Sequence, residues 1–133
     1  MKNWAKLFRT YRGASVYAGV QGQDISEIER AAVSAGLAFF KVDLSQAATK
    51  EDFLRAVSEA LSFPAYFGMN WDALEECLTD FEWHAGKGYV IVLQAADTFS
   101  RTAPDEFKTA SSILKSAAKF WKTREKPFYV ILI

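Results

Sequence analysis

Along the chain the spacing of apolar residues switches between two regimes. Over residues 25–35, 50–62, 70–80 and 104–123 they recur every three or four positions, the period of an amphipathic helix. At 89–93 (YVIVL) they form a continuous apolar run of the kind buried on both faces, 38–44 (AFFKVDL) reads as a largely buried strand, and 128–133 (FYVILI) is the last strand. The first helix buries Ile25, Ile28 and Ala32, the second Phe53, Leu54, Val57 and Leu61, and the long one Phe107, Ala110, Leu114, Ala117 and Trp121. Near the start, Trp4, Leu7, Phe8 and Tyr11 make one short helical stripe within 1–12, and 15–20 (SVYAGV) fits a short strand.

The punctuation agrees with these bounds. Ser26 followed by Glu29 has the form of a capping box, Gly36 stands where a helix C′ glycine belongs, and Thr49 and Asn70 are good N-caps. Pro64 and Gly68 bound a loop, and Gly86 and Gly88 flank a turn. Pro104 suits a first helical turn and Pro127 ends the long helix. Strands alternating with helices imply an α/β fold, a small parallel β-sheet of three to four strands packed with helices. With no repeat, linker or low-complexity tract, residues 1–133 form a single domain. Its core runs from about 38 to 133, and 1–37 is an N-terminal extension with a short helix, an extra strand and a helix.

Composition narrows the class. Half of the 133 residues are hydrophobic and 15% are aromatic, which excludes a disordered chain. No apolar run approaches the roughly 20 residues of a membrane span, and the N-terminus lacks the apolar core of a secretory signal. Cys77 and His84 are the only residues of their kinds, so neither a disulfide nor a zinc site is expected, and a reducing, cytoplasmic setting fits. The net charge is zero but unevenly spread. Residues 43–86 hold nine acids against two bases, a net charge of −7, while 1–12 carry four bases and no acid and 101–126 carry seven bases against three acids. Such a dipole suits electrostatic steering.

The chemistry concentrates in FPAYFGMNWDALEECLTDFEW, residues 63–83. At about 100° per residue from Trp71, Leu74, Cys77, Leu78 and Phe81 fall between roughly 240° and 340°, and Asp72, Glu75, Glu76, Thr79 and Asp80 between roughly 40° and 180°. Asp72 lies in the first turn, where the helix dipole favours a carboxylate. Asp72–Glu76 and Glu76–Asp80 are like charges at i, i+4, which destabilise a helix slightly, and no lysine or arginine lies between Arg55 and Lys87 to relieve them. A face that keeps such repulsion is a candidate for an external cation. Tyr66 and Trp71, beside it, are residue types that anchor interfaces.

The run Phe63-Pro64-x-Tyr66-Phe67-Gly68-x-Asn70-Trp71-Asp72-Ala73-Leu74-x-x-Cys77-Leu78-Thr79-Asp80 resembles the signature of barstar-like ribonuclease inhibitors, with weaker resemblance from about Ala38 to the C-terminus. The resemblance implies a barstar-like fold and a non-enzymatic intracellular protein without cofactor or metal. It would plug the cationic active site of a small basic, barnase-like ribonuclease with this loop and helix, acting as a monomer and binding neither nucleic acid nor membrane. Tyr66, Gly68, Asn70, Trp71, Asp72 and Glu76 fall on the family's contact positions, and the carboxylate at the position of Glu76 enters the phosphate pocket. Glu75, Thr79 and Asp80 share that face and complete the candidate site. Surrounding acids speed encounter and make binding salt-sensitive, effects for which the barstar–ribonuclease pair is itself a standard case. The sequence departs from the type inhibitors in three places. Glu76 replaces an aspartate, residue 75 is charged, and the end of the long helix carries Lys119, Lys122 and Arg124 in place of acids.

Three other readings stand beside this one. The fold could serve as an immunity or antitoxin module against a toxin that is not a ribonuclease. Asp72, Glu75 and Glu76, with His84 as a proton shuttle, could form a carboxylate-based hydrolase, although one exposed helix face offers no evident pocket. Lys115, Lys119 and Lys122, with Trp121 nearby, could bind nucleic acid.

Overall fold

The computed structural model describes residues 3–10, 13–17, 24–64, 67–81 and 86–133. In chain order its elements are α1 (Trp4–Thr10), β1 (Ala14–Tyr17), α2 (Ile25–Ser34), β2 (Ala38–Asp43), α3 (Lys50–Ala60), α4 (Trp71–Leu78), β3 (Tyr89–Gln94), α5 (Ala96–Thr102), α6 (Pro104–Thr123) and β4 (Phe128–Leu132). The strands make one parallel four-stranded sheet in the order β1-β4-β3-β2, with Ala38 opposite Tyr89, Tyr89 opposite Phe128, and Ala14 opposite Phe128. The chain is thus an α/β protein with the small parallel sheet that its apolar pattern implies.

The central strands β3 and β4 explain why a parallel sheet is favoured: each is apolar on both faces and each face is covered. Tyr89, Ile91 and Leu93 of β3 and Phe128, Val130 and Leu132 of β4 point to the layer that contains α3, α4, α5 and α6. Val90, Val92, Tyr129 and Ile131 point the other way, against Trp4 and Phe8 of α1 and Ile28, Ala31 and Ala32 of α2. Each fully buried aliphatic or phenyl side chain contributes roughly 1.5–3 kcal/mol relative to exposure, so the two layers anchor the sheet from both sides.

Helix ends follow local chemistry, with one correction to the expected caps. Helix α2 is capped by Asp24, whose carboxylate accepts the Ser26 N–H at 2.9 Å; Ser26 is already inside the helix. Aspartate caps as well as serine, and the choice of Asp24 draws Ile25 into the first turn. Gly36 (φ 77°) then closes α2 with Leu37 N–H on Ala32 O and Gly36 N–H on Val33 O. The same closure ends α3 at Ser62 (φ 54°), with Phe63 N–H on Ser58 O, and ends α6 at Glu125 (φ 55°), with Lys126 N–H on Trp121 O. Thr49 caps α3 as expected, through its hydroxyl and the Asp52 N–H. The apolar pattern shows no element between 93 and 104. Helix α5 fills that gap, entered through Ala95 in the left-handed region without a side-chain cap, and it buries Ala96 and Phe99. Of the expected strand over 15–20, residues 15–17 fall in β1, which starts one residue earlier, and 18–20 lie outside the described residues.

Candidate functional site

The site is built on the segment that joins α3 to α4. After Ser62 the chain turns through Phe63 and Pro64, and Phe67 N–H returns to Pro64 O at 2.9 Å. Phe63 and Phe67 pack ring on ring with centroids 5.0 Å apart. Tyr66 lies outside the described residues, as does His84. Gly68 is exposed, and Met69 takes a positive φ of 51°, which turns the chain into α4. Asn70 then acts twice: its Oδ1 accepts the Ala73 N–H at 2.8 Å and its Nδ2 donates to Gly68 O at 3.2 Å. One side chain therefore starts the helix and holds the preceding loop against it. A Cβ at Gly68 would stand 3.1 Å from that Nδ2, so the close approach at this position is tight for any other residue.

Helix α4 presents the two faces that its sequence predicts, over a shorter span than 70–80. Leu74, Cys77 and Leu78 are buried, as is Phe81 in the turn beyond, where it stacks on Tyr89 at 4.1 Å. The buried face is pinned to the long helix by Trp121, whose Nε1–H donates to Leu78 O at 2.8 Å. Asp72, Glu75, Glu76 and Asp80 are exposed on the other side. Among the described residues, the ion pairs are Arg55–Asp52 and Arg101–Asp97, and neither reaches these four carboxylates. The acidic face is thus held in place from behind, and among the described residues no cation pairs with it.

Two members of the candidate set are engaged within the protein. Trp71, which the sequence places beside the acids, is half-buried. Its ring packs on Phe53 at 5.9 Å, and the Lys50 ammonium lies 5.8 Å from its centroid. Lys50 is 21 positions away in sequence, so no spacing pattern could have found it. The Thr79 hydroxyl donates back to Glu75 O at 2.9 Å and to Glu76 O at 3.3 Å, which closes the end of the helix.

Below the acids lies a shallow groove of about 230 Å³ lined by Phe67, Gly68, Ala73, Glu76, Cys77 and Asp80. This corrects the expectation of a helix face without any hollow. Glu76 and Asp80 line the groove but Asp72 and Glu75 do not, so of the carboxylates considered for hydrolysis only Glu76 borders it. Burial pushes the Cys77 thiol above its ordinary range, and the nearby Asp80 and Glu76 charges push it the same way. Among the described residues no three His, Cys, Asp or Glu side chains gather as metal ligands, and no helix is long and apolar enough to cross a membrane. The nucleic-acid reading loses its stacking residue, because Trp121 is buried and its N–H is committed to Leu78.

What this arrangement offers is a row of acceptor oxygens on a rigid helix, beside a clamped loop that can follow a concave surface. A carboxylate presents two oxygens to a guanidinium in the geometry that a phosphate would use. A family model described as Barstar (barnase inhibitor) matches residues 37–133, a span that holds the whole of this site. A search of curated proteins found no match to the chain.

Proposed function

The chain belongs to the barstar family, and from that premise we propose that it binds a small basic ribonuclease of the barnase type and occludes its active site. The observation that carries the reading is the exposed face of Asp72, Glu75, Glu76 and Asp80, which no cation among the described residues neutralises. A ribonuclease must gather arginines and lysines around the phosphate it cleaves. Glu76, at the centre of the face and on the wall of the groove, takes the place of that phosphate. Asp72 and Asp80 flank it one turn away on either side, and Glu75 adds to the field that draws the partner in. Gly68 and Asn70 keep the loop low enough for close approach, and Tyr66 and Trp71 supply its aromatic contacts. The protein is on this reading an inhibitor and not an enzyme, acting in the cytoplasm as a monomer.

Three features favour a cognate toxin whose charges differ from those met by the type inhibitors. Glu76 is one methylene longer than their aspartate, Glu75 adds a charge, and Lys119, Lys122 and Arg124 are exposed where they carry acids. If the toxin is not a ribonuclease, the same face serves an immunity function.

An RNA-cleavage assay with a barnase-type ribonuclease tests the proposal. Near-stoichiometric inhibition is expected from the wild-type chain. Glu76→Ala and Asp72→Ala should each weaken it well over tenfold, or more than about 1.4 kcal/mol. Inhibition by both variants at wild-type strength would rule out the acidic face as the binding surface.

A further inference from the structure

A second surface, which shares no lining residue with the groove beneath the acidic face, lies between β1 and α6. Strand β1 is the edge of the sheet: β4 pairs with it on one side, and among the described residues no strand pairs with it on the other. Such an edge keeps a row of backbone donors and acceptors available to an incoming extended chain. Against this edge the structure has an open groove of about 680 Å³. It is lined by Ala14, Ser15 and Val16 of β1 and by Lys115, Ala118, Lys119, Lys122 and Thr123 of α6. The three lysines are exposed, and neither ion pair between described residues reaches them.

Their spacing suits one kind of occupant. At positions i, i+4 and i+7 they share one side of α6, with rises of about 6 Å and 4.5 Å between them. In an extended segment, side chains on one face recur every second residue, about 6.6–6.8 Å apart. A chain laid along β1 with carboxylates at alternate positions therefore brings successive acids opposite successive lysines, while its backbone pairs with the strand. Nucleic acid fits less well: among the described residues that line the groove there is no aromatic ring on which a base could stack.

We propose that the groove between β1 and α6 is a docking site for an extended acidic segment of a partner protein, which adds a strand beside β1 and pairs its alternate carboxylates with Lys115, Lys119 and Lys122. The surface owes its edge strand to residues 14–17, outside the 37–133 span of the family match, and it does not depend on ribonuclease binding.

The test is a fluorescence-anisotropy titration of the full chain with a labelled synthetic octapeptide that alternates glutamate with valine. Saturable binding is expected at low salt, weakened at least tenfold by Lys119→Glu with Lys122→Glu. The same peptide N-methylated at alternate residues, which removes its strand-pairing donors and leaves the protein untouched, should bind at least tenfold more weakly. Equal binding of both peptides would overturn strand addition, and indifference to the lysine changes would overturn the charge pairing. Tighter binding of a labelled decauridylate than of the peptide, lost in the same lysine variant, would replace the proposed partner with RNA.

Discussion

Glu76 is the residue on which ribonuclease binding is proposed to turn. It stands one turn from both Asp72 and Asp80, like charges that disfavour the helix by a few tenths of a kcal/mol. Removing it should therefore leave thermal stability unchanged or slightly raised, the signature of a side chain kept for a partner and not for the fold. Cys77, directly beneath, has the opposite character. Its thiol is buried and its pKa lies above the ordinary 9.0, first through desolvation and then through Asp80 and Glu76. A raised folded-state value means that the folded protein holds the proton more tightly. The stability this contributes is complete below the unfolded value and is lost as pH rises through the folded one. Denaturant midpoints should accordingly fall as the pH rises above 9.0, the ordinary thiol value, in the wild-type chain and fall less in Cys77→Ala. A Cys77→Ala profile as steep as wild type would show that another group is responsible. Much of this scale was legible in the sequence. Asn70, Thr49 and Gly36 act at the helix ends where their chemistry places them, because caps depend on residues within one turn.

Legibility falls at the scale of elements, where neighbours distant in sequence decide. Three helices close in the same way, yet only Gly36 announces it; Ser62 and Glu125 occupy the equivalent left-handed position with ordinary side chains. That conformation costs a residue with a Cβ about 1–2 kcal/mol. Part of this returns when glycine is introduced, the rest being offset by the greater entropy of the unfolded chain. Ser62→Gly and Glu125→Gly should each stabilise by about 0.5–1 kcal/mol in chemical denaturation, and a loss of stability in both would contradict the assignment of these closures. Helix α5 was not legible because its start has no capping side chain: Ala95 turns the chain, and the burial of Phe99 against Phe53, with ring centroids 5.2 Å apart, holds it. The hydrogen bond from Trp121 to Leu78 O, which fixes α4 on α6, joins residues 43 positions apart and leaves no trace in any local pattern.

At the scale of the whole molecule, the first 36 residues take on a role that their sequence leaves open. They lie before the span matched by the family model, yet they supply the strand β1 and the helices α1 and α2, which cover Val90, Val92, Tyr129 and Ile131. Each of those four side chains is 0% exposed, so removing residues 1–36 would open an apolar face across the two central strands. We predict that the truncated chain 37–133 loses cooperative unfolding or aggregates, whereas a soluble, two-state fragment would mean that the N-terminal layer is dispensable. Strand order could not be read from periodicity, since a period shows that a strand is buried and not which strand lies beside it. The charge asymmetry was legible, and it also acts at this scale. With a net charge of −7 over residues 43–86, association with a basic partner should slow steeply between about 50 and 500 mM salt, while dissociation changes less. A salt-independent association rate would show that the field does not steer the encounter.

If the acidic face of α4 is the surface that holds a ribonuclease, calorimetric titration will register its loss. The purified chain and its Glu76→Ala variant would each be titrated into a barnase-type ribonuclease at fixed salt, alongside their denaturation midpoints. A tight one-to-one complex is expected for the wild type, with an affinity lower by well over tenfold for the variant and folding stabilities that agree within about 0.5 kcal/mol. Equal affinities for the two proteins would contradict this role of the acidic face.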